Sequence, residues 1–521
     1  MAKVLISYFS EYGNHTYFAL RDSLIENGND VYLINWNNII VKTKYWEDSI
    51  IPEEFKYLID EIKNFPPDIV LNFCFILPIE ILKKIKCPIC IIDADNPSAF
   101  WNKNYFKIFA GKQNCFFLGG QSSSKKILEK FLNFKIDENH YIFAPVATGL
   151  KKQELPYKRN ILFLGSIWLW YAEIPSKEKY EYIEYLHDIY LKDFTSDRNE
   201  IIKNYNKQRN ATSYTPVSTD EVDFFFWSFA GQERMKYLDV LSDLGLEIYG
   251  NIWKQSACCH NINISKIAHD GLVSTAEEVS ELYNSSKITV NFSNPQADTG
   301  FSWRVCDIMA SNSCLLVEDK PDFRERFGKY LSEETLNTVI YKDRFDMRQK
   351  AMLLLNDEAL RKRCVADLNN AIEQNGRWVH FLKKAEEVTG INLISSDLKS
   401  GKYIEIIKEQ APVFQQKANR KENYFVSTAR YFFHIYEKFS TKIKQSNFAN
   451  FILLLIILLF VFQEINTKFL SSPIISNEVL IYLDMGIICF GLISLLLSYL
   501  YKPIRFILKM TKKLLKIIFK R

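Results

Sequence analysis

Several signatures are missing from this chain of 521 residues, and each absence removes a class of function. Neither G-x-G-x-x-G nor G-x-x-x-x-G-K-[ST] occurs, which disfavours a nicotinamide dehydrogenase and a P-loop NTPase. Ten cysteines are scattered through mostly apolar runs, and only Cys87 and Cys90 form a C-x-x-C. That pair opens a β run, "PICIIDA", where a redox motif would need a helix N-terminus. No second pair at zinc spacing follows Cys258-Cys259-His260, and no closely spaced carboxylate pair suggests a metalloenzyme. The thiols read as reduced and structural. The opening "MAKVLISYFS" is too short and too polar for a secretory h-region, so the body is expected to be cytoplasmic.

The body also lacks a net charge of either sign. Residues 502–521 hold eight Lys/Arg and no Asp/Glu, leaving 58 Lys/Arg against 61 Asp/Glu in residues 1–501. The overall +5 therefore comes from the tail, and a nucleic-acid-binding body is not implied.

What is present is alternation. Over residues 1–150, apolar runs ("KVLISYF", "DVYLINW", "DIVLNF", "PICIIDA", "CFFLGG", "YIFAPV") alternate with helical stretches. Short strands that are apolar on both faces and separated by helices predict a parallel, doubly wound α/β sheet. After the linker "LKKQELPYKRN" a second series runs over 151–395 ("NILFLGS", "DFFFWSF", "LEIYG", "KITVNF", "SCLLVE", "TVIYK"), interrupted at about 168–219 by a helical insertion. Two Rossmann-like domains facing across a cleft are expected, with ligands at the C-terminal ends of the strands.

A helical linker (396–447) follows. Residues 448–501 contain the apolar runs "FANFILLLIILLFVF" and "VLIYLDMGIICFGLISLLLSYLY", read as a transmembrane hairpin with both ends on the cytoplasmic side by the positive-inside rule. In 502–521, Ile504, Ile507, Leu508, Leu515 and Ile518 share one helical face and Arg505, Lys509, Lys512, Lys516 and Lys520 the other. That pattern suits anionic membrane lipids.

The stretch "ADTGFSWRVCDIMASNSCLLVEDKPDF" (297–323) concentrates the candidate chemistry. Gly300 permits a tight turn and Ser302 is placed to cap a helix beginning at about Trp303. Arg304 offers a charged planar fork for a diphosphate. Asp307 lies on the same helical face, where a carboxylate can accept from ribose hydroxyls. A local Arg304–Asp307 ion pair of small energetic worth fits these residues equally well.

The second half resembles the nucleotide-binding domain of GT-B-fold glycosyltransferases, and most the CgeB-like branch of the group 1 enzymes. The resemblance runs through "GQERMKYLDVLSDLGLEIYGNIW", "HDGLVSTAEEVSELYNSSKITVNFS", "GFSWRVCDIMASNSCLLVEDKPDFRERFG" and "LLLNDEALRKRCVADL". A weaker likeness covers the first half ("PDIVLNF", "IDADNPSAFW", "APVAT"), for a total span of roughly residues 1–390.

The resemblance implies sugar transfer from a nucleoside-diphosphate sugar with no metal or other cofactor. Arg304 would hold the diphosphate and Asp307 the ribose, while Arg234, Gly250, Asn251, Thr299, Gly300, Phe301 and Ser302 would line the donor site. Many members carry Glu where Asp307 stands. Related retaining enzymes carry a second acid eight positions earlier, where this chain has Thr299 beside Asp298.

In the first half, His15 follows the Gly13-Asn14 turn, and Asp95 lies in "DADNPSAFW". Either could serve as catalytic base for an acceptor hydroxyl. Equally, His15 could be a solvated helix start and Asp-Asn-Pro a plain turn. Gly119-Gly120-Gln121-Ser122 reads as a third strand-to-helix loop at the cleft. The expected activity is glycosyl transfer to a cell-surface glycan, lipid-linked or protein acceptor at the cytoplasmic face of a membrane. Its rivals are a nucleotide-sugar epimerase or isomerase on the same fold and a non-catalytic nucleotide-sugar-binding scaffold.

Overall fold

The computed structural model describes residues 1–10, 14–42, 49–73, 76–93, 112–167, 185, 189, 203–205, 207, 230–250, 261–269, 272–273, 275–293, 297–395 and 400–404. Asp95, Asn251, the strand expected at "DFFFWSF", nearly all of the 168–219 insertion, the 448–501 hairpin and the 502–521 tail lie outside these residues. The chain divides into a unit of Met1–Gln410 and one of Ala411–Arg521, and all described residues belong to the first. Among them no helix is long and apolar enough to cross a membrane.

The first sheet begins with β1 (Lys3–Tyr8) and β2 (Asp30–Asn35). A two-residue antiparallel pair, β3 (Val41–Lys42) and β4 (Ser49–Ile50), follows as a separate ribbon. The sheet resumes with β5 (Ile69–Phe73), β6 (Ile89–Ile92), β7 (Cys115–Gly119) and β8 (Tyr141–Phe143). The second sheet comprises β9 (Arg159–Leu164), β10 (Leu246–Tyr249), β11 (Ser286–Asn291), β12 (Cys314–Glu318) and β13 (Ile340–Tyr341), and β14 (Tyr403–Ile404) comes last in the chain.

The strand orders are β14-β2-β1-β5-β6-β7-β8 and β10-β9-β11-β12-β13, every pairing in both being parallel. This is the expected α/β organisation of two parallel sheets. Its cause is visible in β5, whose five residues IVLNF are all buried: a strand covered on both faces by helices has no solvent side. The first sheet separates two apolar layers, one around Trp36, Ile62, Ile76 and Leu128, the other around Leu20, Leu24, Phe73 and Trp378. A third core fills the second domain.

The chain crosses between the sheets twice. The outward crossing is the segment after β8, "APVAT" (144–148). The return falls at Gly376–Arg377, between the helices Glu358–Asn375 and Trp378–Thr389. The two crossings touch: Thr148 N donates to Gly376 O at 3.0 Å, and Thr148 bridges Arg377 in parallel register.

The Trp378–Thr389 helix buries Trp378, Phe381, Leu382 and Ala385 in the first sheet's core. β14 pairs with β2 at that sheet's edge. Residues 378–395, read from the pattern as the end of the second domain, therefore cover the first sheet. The physical reason is the apolar face of the returning helix, which matches the layer left open beside the His15–Glu26 helix.

Candidate functional site

At the C-terminal ends of the second sheet, backbone and charge converge. Gly250 ends β10 with φ +121°, and a Cβ there would stand 2.3 Å from Gly165 O. Only a glycine allows the ends of β9 and β10 to come this close. Arg234 lies on the helix over 230–239 and is buried. Its guanidinium spans two strand ends, donating from Nη1 to Ser166 O at 2.8 Å and from Nη2 to Ser293 O at 2.8 Å. Burial, and then the neighbouring charge of Arg304, pull its pKa down to about 9, with Glu318 acting in the opposite direction. Glu318, at the end of β12, accepts from Ser293 N at 2.9 Å.

Arg304 opens the six-residue helix Arg304–Met309. It is exposed and forms no hydrogen bond or ion pair among the described residues. The local Arg304–Asp307 pair is thus not formed. A buried guanidinium and a free one lie close enough to repel, with Glu318 opposing them. Ser293 Oγ is buried at the same strand end without a hydrogen-bond partner and can donate. A free guanidinium beside such a hydroxyl favours an anion with several acceptor oxygens.

Ser302 does not cap this helix. Trp303 occupies the cap position with helical dihedrals and no side-chain cap bond, and the turn closes through Val305 N to Ser302 O at 3.0 Å. Phe301 is directed into the second domain's core, its ring centroid 5.9 Å from that of Phe323 and 6.0 Å from that of Phe327.

The remaining residues of the motif reach the first domain. Asp307 is buried. Its Oδ1 accepts from Thr148 Oγ1 at 2.5 Å and its Oδ2 lies 3.6 Å from His15 Nε2. A carboxylate expected at the donor ribose is instead engaged at the domain junction, because the helix turn that exposes Arg304 points residue 307 inward. His15 does open the helix His15–Glu26, with Nδ1 buried and unpartnered beside an equally unpartnered Asn14 Oδ1.

Thr299 and Gly300, expected to line the donor site, meet the loop after β7. Gly300 N and Asp298 N donate to Gln121 Oε1 at 3.2 and 2.9 Å. Thr299 Oγ1 donates to Asp322 Oδ2 at 3.1 Å and accepts from Ser123 N at 3.2 Å. Asp322 is buried and accepts from Ser122 N at 2.9 Å and Ser122 Oγ at 2.6 Å. A Cβ on Gly300 would fall 2.8 Å from the Gln121 Cβ, so glycine is needed for this approach.

Three residues escaped the sequence reading. Trp303 wedges between the domains, its ring 6.4 Å from Tyr17 and 5.9 Å from Phe73, with Tyr17 stacked on Tyr8 at 4.0 Å. Asp93, two positions before Asp95, is the buried carboxylate at the end of β6 and accepts from Ser124 Oγ at 2.5 Å. Asp322 anchors the clasp just described. The signal for Asp322 was its place after the proline of "EDKPDF"; nothing local marked the other two. Among the described residues no group of three or more His, Cys, Asp or Glu is placed to hold a metal ion.

Residues 233–387 match the glycosyl transferase-like family. That segment contains Arg234, Gly250, Arg304, Asp307 and Asp322. Among solved structures, the chain is similar to the DNA-modifying β-glucosyltransferase of T4 phage, at 13% identity and a TM-score of 0.45, over 75% of this chain and 100% of that one. It is also similar to WaaG, a glycosyltransferase involved in lipopolysaccharide biosynthesis, at 10% identity and a TM-score of 0.40, over 75% and 100%. TarM of S. aureus is similar at 10% identity and a TM-score of 0.37, over 64% of this chain and 57% of that one. Comparison with curated proteins gives no match.

Proposed function

We propose that the protein is a GT-B glycosyltransferase that moves a sugar from a nucleoside-diphosphate sugar to an acceptor hydroxyl. The observation that carries this reading is the Arg234–Arg304 pair at the strand ends of the second sheet, inside the segment that matches the glycosyl transferase-like family. Arg304 takes the exposed oxygens of the donor diphosphate, and Arg234 supplies buried positive charge beneath them. The leaving nucleoside diphosphate needs such charge as the glycosidic bond breaks. No metal is invoked for that task.

On the facing side, His15 accepts the proton of the acceptor hydroxyl at Nε2, and the Asp307 carboxylate, fixed by Thr148 and 3.6 Å away, stabilises the cation that forms. In this reading the chain belongs to the CgeB-like branch, and its acceptor is a surface-glycan precursor, lipid-linked or protein-borne. The apolar 448–501 segment and the basic tail would hold the cleft at the cytoplasmic face of a membrane.

The test is incubation of the purified full chain with a panel of nucleotide sugars, with and without membrane extract, while nucleotide release is measured. Release that needs extract is expected. Conversion of the sugar with no acceptor, or tight binding with no turnover in either condition, overturns transfer. Arg304→Ala is expected to weaken nucleoside-diphosphate binding at least tenfold while leaving the fold intact; unchanged affinity removes the diphosphate assignment.

A further inference from the structure

A cavity of ≈ 190 Å³ lies where the two crossings meet, and its wall includes Pro145, Arg326, Asn375, His380 and Lys384. None of the residues assigned above to donor or acceptor lines it.

Arg326 is 6% exposed and forms no ion pair among the described residues. Its Nη1 donates to Val146 O at 2.8 Å and lies 3.7 Å from Cys306 Sγ, and its Nε donates to Asn375 O at 2.9 Å. A buried guanidinium held only by carbonyls and a thiol retains uncompensated charge, and its pKa is lowered by that burial. Nη2 has no protein acceptor among these bonds and is not among the buried, unpartnered atoms, which leaves it open to the cavity.

His380 Nδ1 accepts from Arg377 N at 3.2 Å, so a neutral ring carries its hydrogen on Nε2. Burial first, and Lys383 next, lower its pKa and keep the ring neutral. Lys384 pairs with Glu387 at 2.9 Å, with side chains 45% and 61% exposed, an arrangement that holds the ammonium weakly. Glu325 is the one acid in the wall, and it is exposed to solvent. The wall thus presents a guanidinium, an imidazole N–H and an ammonium.

We propose that this cavity binds a small phosphate-bearing molecule, with the phosphate against Arg326, His380 and Lys384. The remaining Nη2 donors of a charged guanidinium, beside further donors, suit tetrahedral oxygens. Pro145 of the outward crossing and Asn375 and His380 on either side of the return crossing line the wall, so occupancy tightens the junction between the sheets. The site belongs to an effector, not to the donor.

Titration calorimetry and thermal shift of the full chain with inorganic phosphate test this. Lys384→Glu and His380→Gln are expected to weaken phosphate binding about tenfold or more. Arg304→Ala, and the charge-matched control Lys362→Glu on an exposed helix face, are expected to retain it. His380→Gln carries weight because it changes no charge in a neutral ring. The proposal is overturned if phosphate does not bind, if Arg304→Ala alone abolishes binding, or if Lys362→Glu weakens it as much as Lys384→Glu.

Discussion

At the residue scale, Asp307 carries the sharpest consequence. Both its oxygens face groups on the first domain's side of the cleft, Thr148 and His15. Asp307→Asn is therefore expected to lower turnover about a hundredfold while changing nucleoside-diphosphate affinity less than threefold, by about the same logic. Steady-state kinetics alongside nucleotide titration separates the two, and a large loss of affinity would return Asp307 to the ribose. Thr148→Val should cost about 1–3 kcal/mol by leaving the buried Oδ1 without its donor, read from urea unfolding.

Arg234 gives a ligand-linked prediction. Burial and the neighbouring Arg304 charge lower its pKa in the fold, so its charged form is held at a cost that a bound diphosphate offsets. Nucleoside diphosphate should therefore raise the unfolding midpoint of the wild-type chain more than that of Arg234→Met. Thermal unfolding with and without the nucleotide checks this, and equal shifts in the two proteins exclude Arg234 from the phosphate site.

At the element scale, the clasp between the loop after β7 and the segment 298–300 rests on Asp322. Asp322→Ala removes the acceptor for Ser122 N, Ser122 Oγ and Thr299 Oγ1. A loss of about 1–3 kcal/mol is expected, together with faster proteolysis at the cleft. An unchanged unfolding midpoint would mean that the clasp contributes nothing measurable.

Element by element, the parallel strands were legible because their apolar runs have no polar face, as in β5 and β12. At Arg304 the spacing left two readings open, a donor grip or a local pair with Asp307, and the pair is not formed. The place of Thr299 was not legible. Its partners across the cleft, Ser122 and Ser123, lie well over a hundred positions away, and no local pattern encodes such a contact. Ser302 illustrates a different limit, since its residue type suits a cap but the backbone closes the turn without its hydroxyl. Asp307 could be assigned a helical face, yet which domain that face meets depends on a tertiary junction.

For the whole molecule, the returning helix Trp378–Thr389 and β14 make the first domain depend on residues that follow the second. A chain ending at Gly376 would expose the apolar layer that Trp378, Phe381 and Leu382 cover. Removing three such buried side chains costs about 6–12 kcal/mol, comparable to a domain's entire stability. The truncated first domain is expected to be insoluble or molten by near-ultraviolet circular dichroism, whereas the full chain melts cooperatively. A well-folded truncated protein would contradict the packing described for this helix.

The paired crossings at Val146–Thr148 and Gly376–Arg377 have a mechanical consequence. A single tether would let one lobe swivel and twist freely against the other. Two adjacent tethers bonded to each other act as a door hinge and favour rotation about one line. In the proposed transfer, the angle along that one coordinate would set the gap between Arg304 and His15, and the Asp322 clasp would hold it closed.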